Sequence, residues 1–238
     1  MKITALTAII CSLLIIGQAS AEPKLDIDYK NYDFGWVPHN STGVRYFTIR
    51  SVGEDTLVLT GIYTSCHCLE LQPERMEIAP GDSLVIPVVW QFDDTPNRTS
   101  HYARIFTNEE ASIEGTPLIV QFKAMIVTNP ETMKPVTAKP YRIEFSRFGK
   151  VDIDSVQFIL TNNSERDLEL AITAFPFNEC EISVPDSLKP NSADTCWIKL
   201  KPGFDEREFI SSITILMNDK FDYNRSLTIP IRRKSYQE

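Results

Sequence analysis

Phe47-Thr48-Ile49-Arg50-Ser51-Val52-Gly53-Glu54-Asp55-Thr56-Leu57 reads as a strand, a polar turn and the start of the next strand. Apolar and polar residues alternate first, turn-forming Ser, Gly, Glu and Asp follow, and Thr-Leu resumes the extended pattern. The same arrangement recurs 111 positions later as Phe158-Ile159-Leu160-Thr161-Asn162-Asn163-Ser164-Glu165-Arg166-Asp167-Leu168. One residue of slip lays Pro80 on Pro190, and three lay Phe34-Gly35-Trp36-Val37 on Phe148-Gly149-Lys150-Val151. A period of about 110 residues is too long for a solenoid and matches one immunoglobulin-sized sandwich.

Outward from these stretches the pattern stays extended. Val44–Ile49, Thr56–Leu59, Ser83–Trp90 and Pro117–Phe122 are β-branched or aromatic runs bounded by turn residues, and almost no segment keeps a 3.6-residue period. The expectation is an all-β chain of two tandem Ig-like β-sandwich domains, residues 22–128 and 141–234. Pro130, Pro135 and Pro140 mark residues 129–140 as a stiff Pro-rich linker. Pro87, inside an apolar strand, implies an edge position or a bulge.

Residues 1–21 read as a cleaved signal peptide. Lys2 supplies the positive end, Ile3 to Ile16 is largely apolar, and Ala19-Ser20-Ala21 supplies the small residues of a cleavage site. The apolar run stops at Gly17-Gln18, short of the roughly 20 residues a membrane span needs, and no later segment could span a bilayer. The sequence around Cys11 lacks the pattern of a lipid-modified cysteine. An export address follows, periplasmic or secreted, with cleavage after Ala21. Without Lys2 the mature chain carries 23 basic against 32 acidic side chains, a net charge of −9. Phosphate backbones repel such a surface, and the short run Arg232-Arg233-Lys234 reads as a solvated tail, so no nucleic-acid partner is expected.

Four motifs in order, Phe34-Gly35-Trp36-Val37, Phe47 to Leu57, Ser65-Cys66-His67-Cys68 and Ala79-Pro80-Gly81-Asp82, carry a family resemblance. The stretch 25–127 resembles a bacterial secreted domain-of-unknown-function family with F-G-x-V, N-x-G-x-x-P-L, C-G-C and P-G motifs. That family is similar to the Ig-like domains of the major sperm protein and abnormal-spindle/hydin group. Here Ser51 stands for Asn, Thr56 for Pro and His67 for the middle Gly, and the second copy has no C-x-C. The resemblance implies a fold and an envelope setting and brings no activity.

Cys66, Cys68, Cys180 and Cys196 remain after export, and an oxidising compartment makes pairing the expectation. Bridges within domains, Cys180 with Cys196 and Cys66 with Cys68, are favoured among the three connectivities. The first would close a loop of about 16 residues and contribute about 3 kcal/mol in the chain-entropy model. On an extended strand the Cα atoms of Cys66 and Cys68 would lie roughly 6.6 Å apart, so their bridge requires a local turn. A redox role and a site for Cu(I) or Zn(II) are the sharper readings of Cys-His-Cys; structural cysteines are the plainer one. On a strand His67 points away from both thiols, and His39 and His101, remote in sequence, read as surface residues.

No nucleophile with its base, zinc-protease helix, phosphate loop or dinucleotide fingerprint is present, so no enzyme, catalytic residue or cofactor is expected. The function expected is that of an exported, non-catalytic envelope module presenting loops or strand edges to a protein or glycan. The alternatives are a thiol-redox or metal-binding protein using Cys66 and Cys68, and a chaperone-like protein acting by strand addition.

Overall fold

The computed structural model describes residues 21–148, 153–204, 208–218 and 224–236. All but Ala21 of the expected signal peptide, and Gly149–Val151 of the second F-G-x-V copy, lie outside the described residues. The N-terminal half runs β1 (Leu25–Ile27), β2 (Asn31–Pro38), β3 (Ser41–Ser51), β4 (Leu57–Thr64), β5 (Leu69–Leu71), β6 (Glu77–Ile78), β7 (Ser83–Phe92), β8 (Arg98–Thr107) and β9 (Leu118–Val127). The C-terminal half runs β10 (Val136–Lys139), β11 (Ile143–Glu144), β12 (Arg147–Phe148), β13 (Ser155–Asn162), β14 (Leu168–Ala174), β15 (Cys180–Ser183), β16 (Ser187–Leu188), β17 (Ala193–Leu200), β18 (Phe209–Asn218), β19 (Asn224–Arg233) and β20 (Ser235–Tyr236). The fold is all-β, with sandwich-like sheets.

Each half encloses its own core because apolar residues alternate inward. Along β7 these are Leu84, Ile86, Val88, Trp90 and Phe92, all buried. They meet Phe34, Phe122 and Ile105 from the facing sheet in one cluster, while Phe158, Leu160, Ile198, Ile213 and Ile229 anchor the other. The 111-residue repeat is a repeat of topology. One four-stranded sheet has the order β1-β3-β7-β5 and another β10-β13-β17-β15, so Phe47 on β3 and Phe158 on β13 fill equivalent places.

The facing sheets of the two halves are continuous, in the order β16-β14-β18-β19-β2-β9-β8-β4-β6 among the described residues. The join is a parallel pairing of β19 with β2 at Leu227 and Trp36. Strands β18 and β19 are therefore buried on both faces. Ile213, Ile215, Leu227 and Ile229 point into their own core, while Ser212, Thr214, Ser226 and Thr228 point at the N-terminal half and are equally buried. The Ser212 hydroxyl accepts from Val44 N at 2.9 Å and donates to Val44 O at 3.0 Å. Thr228 Oγ1 donates to Phe34 O at 2.6 Å and contacts Thr214 Oγ1 at 2.9 Å. Small hydroxyl side chains let the backbones approach and satisfy the polar groups that the approach buries.

Three expectations need correction. Residues 129–140 are not a linker: Met133, Val136 and Ala138 are core residues, and β10 pairs with β13 from Val136↔Asn162 to Lys139↔Ile159. The prolines flank an edge strand, where no ladder bond is lost. The basic run is not a free tail, because Arg233 is buried and donates to Phe145 O at 2.6 Å while Arg232 pairs with Glu144 at 2.8 Å. Nor do Cys180 and Cys196 pair; both are free and buried. Cys180 lies opposite Leu200 on β17, four residues from Cys196, which separates them by roughly 13 Å, about twice a disulfide's reach. They occupy the places that Leu69 and Ile86 fill in the first half and act as small hydrophobic residues. Pro87 sits just past the end of β5, whose last pair is Leu71↔Val88, so its missing N–H costs no ladder bond.

Gly35 (φ +66°) abuts the Ser226 backbone so closely that a Cβ would collide with its carbonyl, whereas Gly81 (φ +77°) has open space around it. Gly81→Ala is expected to cost only the left-handed penalty of about 1–2 kcal/mol. Gly35→Ala should exceed about 3 kcal/mol in denaturant unfolding, because it also forces β2 and β19 apart.

Candidate functional site

Two arrangements concentrate chemistry, one within the N-terminal half and one where the two halves meet. In the first, the chain turns between Thr64 and Leu69, bringing the Cα atoms of Cys66 and Cys68 to 5.2 Å and allowing their disulfide. Thr64 Oγ1 donates to Cys66 O at 2.9 Å, and Gln91 N on β7 donates to Cys68 O at 2.8 Å. Ser65 N donates to Tyr102 O at 2.9 Å, and Tyr102 N donates back to Ser65 Oγ at 3.0 Å. The turn is thereby tied to β8 immediately beside His101.

A ring nitrogen of His101 lies with both sulfurs in a cluster whose members are within 4.8 Å of one another, all three residues partly buried. His67, the histidine of the triplet, is exposed and outside the cluster. His101 Nδ1 is 3.1 Å from Ser65 Oγ, Nε2 is 3.5 Å from Thr99 Oγ1, and the ring meets Trp90 edge-on with centroids 5.3 Å apart. Burial lowers the His101 pKa below the ordinary imidazole value, against the opposing charge of Asp93, so the neutral ring is favoured at pH 7. Sequence reasoning missed this residue because it lies 33 positions from Cys68. The signal was the period of two along β8: His101 shares the parity of Ala103, Ile105 and Thr107, which face inward.

The second arrangement is a groove of about 690 Å³ where the two halves meet, lined among others by Tyr29, Tyr32, Arg45, Tyr46, Thr48 and Leu216. Its wall is an open strand edge. Among the described residues, β1 covers that side of β3 only from Ile49 to Ser51, and Ser212 closes it at Val44. Between these points Tyr46 and Thr48 lie opposite Pro87 and Val85 of β7. Pro87 cannot donate, and antiparallel pairing alternates, so the backbone groups of Tyr46 and Thr48 point away from β7 and into the groove. Arg45 donates to Asp33 O at 2.9 Å, with its guanidinium 5.8 Å from the ring centres of Tyr32 and Phe34. Burial lowers the Arg45 pKa and pushes Tyr32 up to about 12. Arg50, by contrast, is matched to Asp28 at 2.6 Å and Asp26 at 3.4 Å.

The buried thiols away from both sites are inert, since burial pushes Cys180 up to about 12 and Cys196 up to about 11. At pH 7 the thiolate fraction of each is on the order of one in ten thousand or less. Thiol titration of unreduced protein lacking residues 1–21 should find none reacting quickly under native conditions, two per chain in denaturant, and four after reduction. No thiol in unreduced, denatured protein would mean that Cys180 and Cys196 are bridged after all.

No curated protein matches the sequence. Among solved structures, a protein of unknown function from Porphyromonas gingivalis aligns at 12% identity over 87% of this chain and 99% of its own, with a TM-score of 0.32. The Pseudomonas aeruginosa CupB2 chaperone aligns at 6% identity over 86% and 98%, with a TM-score of 0.33. The human CEP192 ASH/PapD-like domain aligns at 8% over 54% and 98%, with a TM-score of 0.35. At these values no residue of this chain takes a role from them. Residues 25–124, which hold the F-G-x-V, Cys-His-Cys and Pro-Gly motifs, match the model of the family described as "Protein of unknown function (DUF1573)".

Proposed function

We propose that this is an exported, non-catalytic envelope protein that binds an extended segment of another protein along the open edge of β3. A cleaved signal peptide, residues 1–21, delivers it to the periplasm or the exterior. Two tandem Ig-like domains follow, the second beginning near residue 130 and taking in the proline-rich stretch. The observation that carries the reading is the stretch of β3 at Tyr46 and Thr48, on the wall of a groove, where among the described residues no strand of the chain continues the ladder beyond β1. An exposed strand edge is a template for a further strand, with ladder hydrogen bonds giving affinity and flanking pockets giving selectivity. Tyr29, 70% exposed, offers an aromatic contact, and Arg45 offers a cation to a carboxylate of the incoming segment.

A second reading, glycan binding, is favoured by the outer face of β4 and β8. Tyr63 is 65% exposed and meets Phe106 edge-to-face at 5.7 Å, and Arg104 lies over Tyr102 at 5.2 Å, so the Tyr63 ring is held in place with its surface open for a sugar to stack on.

Thr48→Pro separates the readings. The Thr48 N–H faces the groove and serves no ladder bond, and proline is tolerated on strand edges, so the change should cost less than about 1 kcal/mol in unfolding. It should abolish cross-linking of envelope proteins to the mature protein at endogenous level, while Tyr63→Ala leaves that cross-linking intact. Retention of the same cross-linked species by the folded Thr48→Pro variant contradicts the strand-edge reading, and loss with Tyr63→Ala alone moves the site to β4 and β8.

A further inference from the structure

We propose that Cys66, Cys68 and His101 form a reduction-gated site for Cu(I), in which the disulfide is the form that excludes the ion. This goes beyond the strand-edge reading and does not depend on it. The geometry is that of a built site. Two sulfurs and one imidazole nitrogen come from different elements, the β4–β5 turn and β8, yet their ligand atoms all lie within 4.8 Å of one another. That closeness is held by the reciprocal hydrogen bonds between Ser65 and Tyr102, which fix the turn against the residue following His101. The ring itself is oriented by Ser65 Oγ, Thr99 Oγ1 and the edge of Trp90, the kind of outer contact that sets which ring nitrogen faces a metal. All three ligands are partly buried, against the core yet open to an arriving ion.

The donor set selects the ion. Two thiolates and an imidazole are soft donors suited to Cu(I). Structural zinc sites are closed by four protein ligands, and among the described residues no fourth histidine, cysteine or carboxylate joins this cluster. A dithiol reductant gives two electrons and two protons to the Cys66–Cys68 bond, which opens to two thiols while the reductant closes to its own disulfide. Cu(I) then binds both sulfurs and the imidazole, and the two thiol protons leave to solvent. A disulfide oxidant then accepts two electrons from the two thiolates and two protons from solvent, opening to its own dithiol, while the Cys66–Cys68 bond re-forms, which removes two of the three donors and releases Cu(I).

The test uses the mature protein reduced anaerobically with dithiothreitol, freed of reductant and titrated with Cu(I) presented as a coloured chelate. Reduced protein should take one equivalent, the unreduced protein none, and the bound ion should protect Cys66 and Cys68 from alkylation in peptide mass mapping. Cys66→Ser with Cys68→Ser should abolish uptake. His101→Ala, which leaves the disulfide untouched, should weaken binding by at least about tenfold, the loss seen even for outer partners of a metal. Where the double serine variant does not fold, His101→Ala carries the test. Equal uptake by reduced and unreduced protein, equal affinity of wild type and His101→Ala, protection of Cys180 and Cys196 instead, or tighter binding of Zn(II) than of Cu(I) overturns the proposal.

Discussion

The Ser212 hydroxyl bonds to both the N–H and the carbonyl of Val44, and much of the architecture depends on that contact. It sits where the C-terminal half lays one face of β18 and β19 on the open side of β3. A larger side chain would hold the strands apart, and an apolar one would leave two buried backbone groups unpaired, at a cost of about 1–3 kcal/mol each. Thr228 performs the same service for Phe34 O, and Gly35 makes room for the Ser226 backbone. With these in place the sheet continues through both halves, and the groove between them has a defined wall. The contact also sets where the docking stops. Ser212 closes β3 at Val44, β1 closes it from Ile49, and the stretch between is left for something else.

The fold class was visible in the residues because burial on one face writes a period of two. Leu84, Ile86, Val88, Trp90 and Phe92 show it, and so does the recurrence of Phe47 to Leu57 as Phe158 to Leu168. The junction was not visible. Ser212, Thr214, Ser226 and Thr228 alternate with apolar residues as solvent-facing positions do, and a hydroxyl side chain suits water and a neighbouring backbone equally. The prolines of residues 129–140 misled for a related reason. Proline excludes the middle of a sheet but not the ends of an edge strand, and β10 is an edge strand.

The cysteines divide along the same line. Keeping bridges within domains favoured pairing Cys180 with Cys196, but the register of β15 on β17 places them four residues apart on the ladder, both facing the core. Cys66 and Cys68 were recognisable as chemically distinct, and the turn their bridge requires is present. Their third partner came from across the sheet. Long-range neighbours of this kind are set by strand order, which the local pattern does not encode, although the inward parity of His101 hinted at it.

The central claim is that β3 keeps an open edge at Tyr46 and Thr48, and residue-resolved amide hydrogen exchange on the free mature protein tests it most directly. Phe47 faces β7 and Val44 donates to Ser212, so both amides should exchange slowly, as core ladder amides do. Tyr46 and Thr48, one residue to either side of Phe47 on the same strand, should exchange at rates near those of exposed loops. Equal protection along the whole run from Val44 to Thr48 would show that the edge is already paired and would contradict the account.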